Sequence, residues 1–129
     1  MEIKCSMPLY IEIGSKKKHI NLNNYRNWHY QVSNKIKKEY KEILNRKLQQ
    51  YRNLKLSKIE LEFTMHRGDK RRVDRSNVLS IHEKFFCDAI VDLGIIKDDN
   101  DNHISRTIYQ TGDVCKIQPR VEIIIRSVC

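Results

Sequence analysis

Six polar residues fall at chemically suggestive spacings within and around one apolar segment, residues 71–101. They are Asp74, Asn77, Lys84, Asp88, Asp98 and Asp99. Each residue of an α-helix advances by about 100°, so Lys84 and Asp88, at offsets of 7 and 11 from Asn77, return to within about 20° of it. The spacing predicts one polar stripe on an otherwise apolar helix, with carboxylates before its first turn and after its last.

The carboxylates in this set are ligands that hard divalent cations prefer. Mg²⁺ and Mn²⁺ bind oxygen atoms of a few Asp or Glu side chains together with water and substrate phosphate. If the segment after the helix folds back, Asp98 and Asp99 approach the stripe and converge with other carboxylates beside the ammonium of Lys84. Such a site is suited to metal-assisted hydrolysis of a phosphodiester bond.

Simpler explanations of the same residues remain open. Lys84 and Asp88 are four residues apart, which fits an exposed ion pair on a solvated helix face. Residues 98–101 fit an acidic turn, because Asp and Asn side chains make local hydrogen bonds to the backbone in turns.

The positive charge is concentrated in one part of the chain. The 129 residues carry a net charge of +9, and residues 16–58 alone carry 13 Lys and Arg against 2 Glu, a net charge of +11. Residues 59–129 carry 11 basic against 12 acidic side chains, and residues 1–15 carry 1 against 2, so each of these parts has a net charge of −1. A basic half favours a polyanionic partner, most commonly nucleic acid. Without a metal, the acidic cluster beside it would repel DNA.

Hydrophobic periodicity predicts a single α+β domain over residues 1–129, with a small mixed β-sheet and two main helices in the order β-α-β-α-β-β. The expected elements are a strand over 1–13, a helix from Asn23 or Asn24, a strand over 58–66, a helix over about 76–93, and strands over 104–110 and 117–126. Asp74 or Ser76 is expected to cap the second helix, and Gly94 to end it. The sequence TGD (111–113) predicts a hairpin between the last two strands.

Composition narrows the class of protein further. No apolar run is long enough to span a membrane, and the first residues lack the pattern of a signal peptide. The four cysteines do not have the spacing of a zinc site, so all are expected to be reduced: Cys5, Cys87, Cys115 and Cys129. A cytoplasmic protein without a membrane partner is therefore expected.

Several motifs resemble the RusA family of Holliday junction resolvases, many of which are phage-encoded. That family opens a helix with an acidic and Asn motif, continues with a lysine, and follows the helix with an Asp-Asp pair. Here DRSN (74–77) is similar to the opening, Lys84 to the lysine, DAIVDLG (88–94) to the helix end, and Asp98-Asp99 to the acidic pair. The segment NLNNYRNWHY (21–30) resembles the family's Asn-x-Tyr segment.

The resemblance implies a homodimeric endonuclease that depends on Mg²⁺, with Mn²⁺ as an alternative, and cuts four-way DNA junctions in recombination and repair. Asp74 and Asp99 would be catalytic metal ligands, with Asp88 and Asp98 as adjoining acids that bind or orient the metal. Lys84 would stabilise charge at the scissile phosphate. The substrate would be branched DNA rather than a small molecule, in the cytoplasm of a bacterium or a phage-infected cell.

Other polar and basic residues are candidates for contacts with DNA. Arg71 and Arg72 lie beside Asp74, whereas Arg26 and His29 lie among aromatic residues. Those aromatic residues are expected to pack in the core rather than stack on bases. The full set of candidates is Lys16, Lys17, Lys18, Asn24, Arg26, His29, Arg71, Arg72 and Asn77.

Two features depart from the family pattern. Ser76 stands where the family usually has a second Asp, and the interval from Asn77 to Lys84 is about one helical turn longer. An added turn keeps Lys84 on the same face, whereas the serine removes a carboxylate. Two alternatives therefore stand beside the nuclease. One is a protein that binds branched DNA without cutting it, and the other is an RNA-binding or interaction protein whose acidic segment is only a turn.

Overall fold

The computed structural model describes residues 1–128. Its six strands are β1 (Glu2–Pro8), β2 (Tyr10–Ile13), β3 (Lys16–His19), β4 (Ile59–His66), β5 (Ile104–Thr111) and β6 (Arg120–Ser127). Its three α-helices are α1 (Leu22–Asn27), α2 (Tyr30–Leu48) and α3 (Arg75–Asp92), and a 3-10 turn over Gln49–Tyr51 follows α2.

Four strands form one mixed sheet in the order β1-β6-β4-β5. β6 is antiparallel to both β1 and β4, whereas β5 is parallel to β4. Alternate residues of β4 are buried, which is what the alternating apolar pattern of 58–66 predicts. The predicted α+β class, with a small mixed sheet and two main helices, is confirmed, and there are more strands than expected.

Both long helices pack on one face of the sheet and share a single hydrophobic core. The ring of Phe86 on α3 lies edge-on to that of Phe63 on β4, with centroids 5.7 Å apart. Tyr40 on α2 meets Phe85 on α3 in the same way at 5.5 Å. The opposite face of the sheet carries charged side chains, among them Arg126, which pairs with Glu2 at 2.9 Å. α3 therefore packs against both the sheet and α2.

Helix α3 connects β4 to the parallel strand β5 and so runs back along the sheet. Nine of its residues are buried, which explains why its sequence is apolar on more than one side. Asp74 caps its first turn, and Gly94 follows its end with φ of 74°, a left-handed conformation that glycine adopts without strain. Both predicted boundaries are confirmed.

The N-terminal region differs from expectation. The strand predicted over 1–13 is divided after Pro8, and Lys16–His19 forms a strand that pairs with Tyr10–Ile13 instead of a turn. The first helix is capped by Asn21 rather than Asn23 or Asn24, and it breaks at Trp28. A new helix begins after His29, whose ring accepts a hydrogen bond from the N–H of Gln31.

The hairpin predicted around TGD is wrong. β5 and β6 do not pair with each other, because β4 lies between them in the sheet. The connection instead crosses the end of β4: the N–H of Gly112 donates to the carbonyl of Met65, and the N–H of Cys115 donates to that of Arg67.

Two further expectations concern cysteines and membranes. Cys5, Cys87 and Cys115 are free thiols, as predicted, whereas the expectation for Cys129 lies outside the described residues. Within residues 1–128, no helix has the length and apolar character needed to cross a membrane.

Candidate functional site

The N-terminal end of α3 is built around Asp74. Its Oδ1 accepts a hydrogen bond from the N–H of Ser76 at 3.1 Å, which satisfies one of the free donors of the first turn. The hydroxyl of Ser76 donates to the same oxygen at 2.9 Å. The serine that stands in place of the family's second acid therefore orients the Asp74 carboxylate.

Basic residues flank Asp74 in the sequence. Arg71, Arg72 and Arg75 are all exposed there, and Arg75 donates a hydrogen bond to the hydroxyl of Thr111 at the end of β5. We call this region the arginine end of α3, defined as Arg71, Arg72, Asp74, Arg75 and Ser76. Its net charge is positive, which suits a phosphate backbone.

The opposite end of α3 lies beside the acidic loop, residues 98–102. The Asp98 carboxylate accepts hydrogen bonds from the N–H of Asp99 at 2.8 Å and from the side-chain amide of Asn100 at 3.2 Å. The N–H of His103 donates to the carbonyl of Asn100 at 3.0 Å and closes the turn. Asp98 and Asp99 remain exposed on this compact loop.

The sequence left open whether the acidic loop folds back onto α3, and one charge effect links the two. Burial, together with the negative charges of Glu83, Asp99 and Asp88, raises the pKa of the Cys87 thiol to about 12. The charge of Asp99 on the loop therefore acts on a residue near the end of the helix.

The polar stripe of α3 is not an exposed ion pair. Lys84 and Asp88 are both exposed, yet within residues 1–128 neither takes part in a salt bridge. The same holds for Asp98 and Asp99 over those residues. Asp88, Asp98 and Asp99 therefore have no cationic side chain paired with them in the described part of the chain.

The length of α3 separates Asp74 from the acidic loop. The 14 residues from Asp74 to Asp88 correspond to a rise of about 21 Å. In the described part of the chain, no three His, Cys, Asp or Glu side chains are placed to hold one metal ion. Helix α3 thus holds Asp74 away from Asp88, and Asp88, Asp98 and Asp99 do not form such a group of three either.

The carboxylates at the acidic loop fit a loosely held Mg²⁺ ion. Mg²⁺ keeps several waters and is usually bound by one or two carboxylates plus substrate phosphate, so it does not need an enclosed set of protein ligands. Asp88, Asp98 and Asp99 provide exposed oxygen donors of that type. The Asp98 carboxylate already accepts two hydrogen bonds within the loop, so the Asp99 carboxylate has more of its oxygen lone pairs free for a metal.

The lysines predicted to contact DNA lie on β3 and point to a separate surface. Lys16 and Lys17 are exposed, and the ammonium of Lys17 lies 4.8 Å from the centre of the Tyr10 ring. Lys18 is half-buried. Together they form a basic patch on the small β2–β3 sheet.

The other predicted contacts divide into exposed and structural residues. Arg26 and His29 are exposed at the break between α1 and α2. Asn24 instead joins α1 to β3, since its side-chain amide donates to the carbonyl of His19 at 3.0 Å. Asn77 is half-buried on α3.

The aromatic residues of α1 pack against the core, as predicted. Tyr25 lies edge-on to Phe85 with centroids 5.9 Å apart, and Trp28 packs against Tyr25 at 6.2 Å. Both residues are partly buried against the hydrophobic core.

Two contacts of α3 were missed from the sequence. The hydroxyl of Tyr109 on β5 donates to the Glu83 carboxylate, and burial together with that bond raises the pKa of Tyr109. No simple sequence pattern marks this contact, because a register shift at the start of β5 pairs Tyr109 with Phe63 and so leaves it on the helix side of the sheet.

The second contact fixes the middle of α3. His82 is fully buried and shares a 2.9 Å hydrogen bond with the hydroxyl of Tyr40 on α2. Burial lowers the pKa of His82 to about 3, so the imidazole is neutral and serves packing, not acid–base chemistry.

The chain matches no known protein-family model, and no curated protein matches it either. The likeness to RusA resolvases therefore rests on the motifs at the two ends of α3 and on the chemistry that those ends can support.

Proposed function

We propose that this protein is a Mg²⁺-dependent, structure-specific endonuclease that hydrolyses phosphodiester bonds in branched DNA, with four-way junctions as its substrate class. The observation that carries the proposal is that α3 ends next to the acidic loop, where Asp88, Asp98 and Asp99 are exposed and form no salt bridge within residues 1–128. The chain has a net charge of +9, so its basic surfaces would bind DNA while these carboxylates would bind the metal.

The chain's own residues divide the work as follows. Asp88, Asp98 and Asp99 would hold Mg²⁺, which when bound supplies an activated water and neutralises charge on the scissile phosphate. Lys84 lies exposed one turn before Asp88 and would contact a phosphate oxygen through its ammonium. The arginine end and the lysines of β3 would bind the phosphate backbone away from the bond that is cut.

A homodimer would allow carboxylates from the two ends of α3 to contribute to the same metal site, each end coming from a different copy of the chain. A four-way junction has two-fold character, and a two-fold dimer contacts it through equivalent surfaces. Because one chain holds Asp74 about 21 Å along the helix from Asp88, a second copy is the direct way to bring an Asp74 carboxylate to the acidic loop. Each site would then use Asp74 from one copy and Asp99 from the other.

The test is a cleavage assay on a synthetic four-way junction, with linear duplex of the same sequence as the control substrate. We expect paired nicks in the junction with Mg²⁺ or Mn²⁺ and none with EDTA. Binding without cutting in both metals across a range of pH would overturn the nuclease and leave a DNA-binding protein.

That second function is favoured by one specific feature. Ser76 supplies a hydroxyl bonded to Asp74 where a second carboxylate would strengthen metal binding. A branched-DNA binder of this kind would bind junctions more tightly than duplex in EDTA. It would also show no metal-dependent cleavage.

A further inference from the structure

A groove of about 510 Å³ opens beside the acidic loop. The proposed roles of the carboxylates and of the arginine end give this groove no function. It lies between the segment that follows α2, the last turn of α3 and the turn that carries Lys97. Its lining includes Leu56, Val91 and Ile96 as an apolar floor and Lys55, Lys97 and His103 as a polar rim. The size falls within the range of small-molecule sites, roughly 300–1,000 Å³.

The floor of the groove is held in place by main-chain hydrogen bonds. The N–H of Lys55 donates to the carbonyl of Gly94 at 3.0 Å, and that of Leu56 donates to Ile95 at 2.8 Å. Leu56 and Ile96 form a parallel bridge between the two segments. The groove is therefore preformed, so a ligand would not have to order it.

The rim carries positive charge with no carboxylate among the lining residues. Lys55 and Lys97 are exposed, and over residues 1–128 neither forms a salt bridge. The Nδ1 atom of His103 lies 3.1 Å from the carbonyl of Ser57, so Nδ1 carries the proton and Nε2 is the nitrogen left for a ligand. An apolar floor with a cationic rim complements a ligand that joins a flat apolar part to an anion.

The groove and the candidate metal ligands belong to one loop. Lys97 directly precedes Asp98, and His103 directly follows Asn102 at the other end of the acidic loop. A DNA strand whose phosphate lies at Asp98 and Asp99 therefore has its neighbouring nucleotide within reach of the rim.

We infer that this groove binds one nucleotide of the DNA strand next to the bond that is cut, with its base against Leu56 and Val91 and its phosphate held by Lys55 and Lys97. The inference rests on the proposed nuclease function, because the position of the groove has meaning only if a phosphate lies at the acidic loop. The contact is with the apolar face of the base, so it selects for an unpaired nucleotide and not for a particular base.

The experiment is a ¹H–¹⁵N NMR titration of the full chain with three separate probes: thymidine 5′-monophosphate, thymidine and inorganic phosphate. We expect thymidine 5′-monophosphate to shift the amides of Leu56, Ile96, Lys97 and His103 at lower concentration than either part alone. The variant Lys55→Gln with Lys97→Gln should bind it about tenfold more weakly, as expected for the loss of charge-assisted hydrogen bonds. The matched control, Lys38→Gln with Lys116→Gln, removes equal charge from exposed positions outside the groove and should bind as wild type does.

Three results would overturn the subsite. Equal shifts with inorganic phosphate would show a phosphate site without a base, and shifts away from the groove would exclude it. Concentration-dependent shifts of the groove amides without any probe would show that the groove is an interface between copies of the chain. If the protein cuts junctions but the groove amides do not shift, the nucleotide subsite is wrong and the proposed nuclease function stands. If the nucleotide binds in the groove but no junction is cut, the nuclease function is wrong and the subsite stands.

Discussion

The two ends of α3 both present carboxylates, in opposite electrostatic settings. At the arginine end, Asp74 caps the helix, is oriented by Ser76 and lies among three exposed arginines. At the other end, Asp88 lies on the last part of α3, and the acidic loop that follows adds Asp98 and Asp99, which carry charge of the same sign. The first end has a local reason to hold its carboxylate, namely capping. At the second end only Asp98 has a local role, in the turn of the acidic loop, and this leaves Asp88 and Asp99 as the stronger candidates for a metal.

The difference also shows what a helical spacing can and cannot specify. The offsets of 7 and 11 residues give the direction of a side chain around the helix axis, whereas distance along the axis grows by about 1.5 Å per residue. Asp74 and Asp88 can therefore belong to one sequence motif and still be far apart in one chain. The open question is whether carboxylates from both ends of α3 contribute to the same metal site, and four measurements address it.

The largest effect is expected from Asp99→Asn. Loss of a carboxylate that holds the metal should reduce the rate of junction cleavage by roughly 100-fold or more, while junction binding is kept or strengthened because a negative charge is removed. Asp101→Asn, in the same acidic loop, is the matched control and should cut at nearly the wild-type rate. Equal rates for the two variants would place the metal elsewhere.

Mixing two inactive variants tests cooperation between the ends. Asp74→Asn and Asp99→Asn should each fail to cut, because each damages both sites of its own homodimer. After exchange of subunits, a heterodimer keeps one intact site, so about one quarter of the sites should recover and nick one strand. The measurement is nicking by the mixture against each variant alone. No recovery after demonstrated exchange would show that Asp74 and Asp99 do not meet across a dimer.

Stability should distinguish the two carboxylates in the absence of DNA. Asp74→Ala removes the helix cap and should lower the free energy of unfolding by about 1 kcal/mol, whereas Asp74→Asn retains a good capping residue and should cost little. Asp99→Ala should leave stability unchanged within about 0.5 kcal/mol, because it removes an exposed side chain surrounded by like charge. Urea denaturation of the three variants measures these changes in the free energy of unfolding. A larger decrease for Asp99→Ala than for Asp74→Ala would contradict the prediction.

The smallest effect concerns Ser76. Ser76→Asp adds a carboxylate beside Asp74 and should increase the rise in Tm caused by Mg²⁺ by about 1–3 °C over that of the wild type. Ser76→Asn, which has a similar size and no charge, is the control. Identical Mg²⁺ responses for the wild type and both variants would show that the arginine end lies outside the metal site.

Local patterns in the sequence predicted the parts of the fold that local physics decides. The alternation of Ile59, Leu61, Phe63 and Met65 gave strand β4, while Asp74 and Gly94 marked the ends of α3 correctly. The wrong hairpin arose because TGD is a good turn sequence, yet the strands that it joins pair with β4. Such long-range pairing is set by how the whole sheet buries its apolar face and leaves no short-range mark.

The candidate site was predictable in part for the same reason. The residue types could be read from the sequence, whereas the path of the acidic loop after Gly94 remained a condition of the argument. The contact of Tyr109 with Glu83 required the register of β5 against β4, which the sequence does not contain. The orientation of Asp74 by Ser76 required the cap geometry, so a residue that looked like a loss proved to be a hydrogen-bond donor to the remaining acid.

The parallel pairing of β4 and β5 has a consequence for how the chain folds. Parallel strands cannot be joined by a tight turn, so the whole of residues 67–103 must be brought into place before Ile104 reaches its position beside Ile59. That segment contains α3, both of its ends and the acidic loop. We expect β5 to dock late and slowly, because closing so long a connection is entropically costly before any contact rewards it. Before β5 docks, the acidic loop and α3 would not yet be in their final positions. Cleavage activity and completion of the sheet should therefore appear together during refolding.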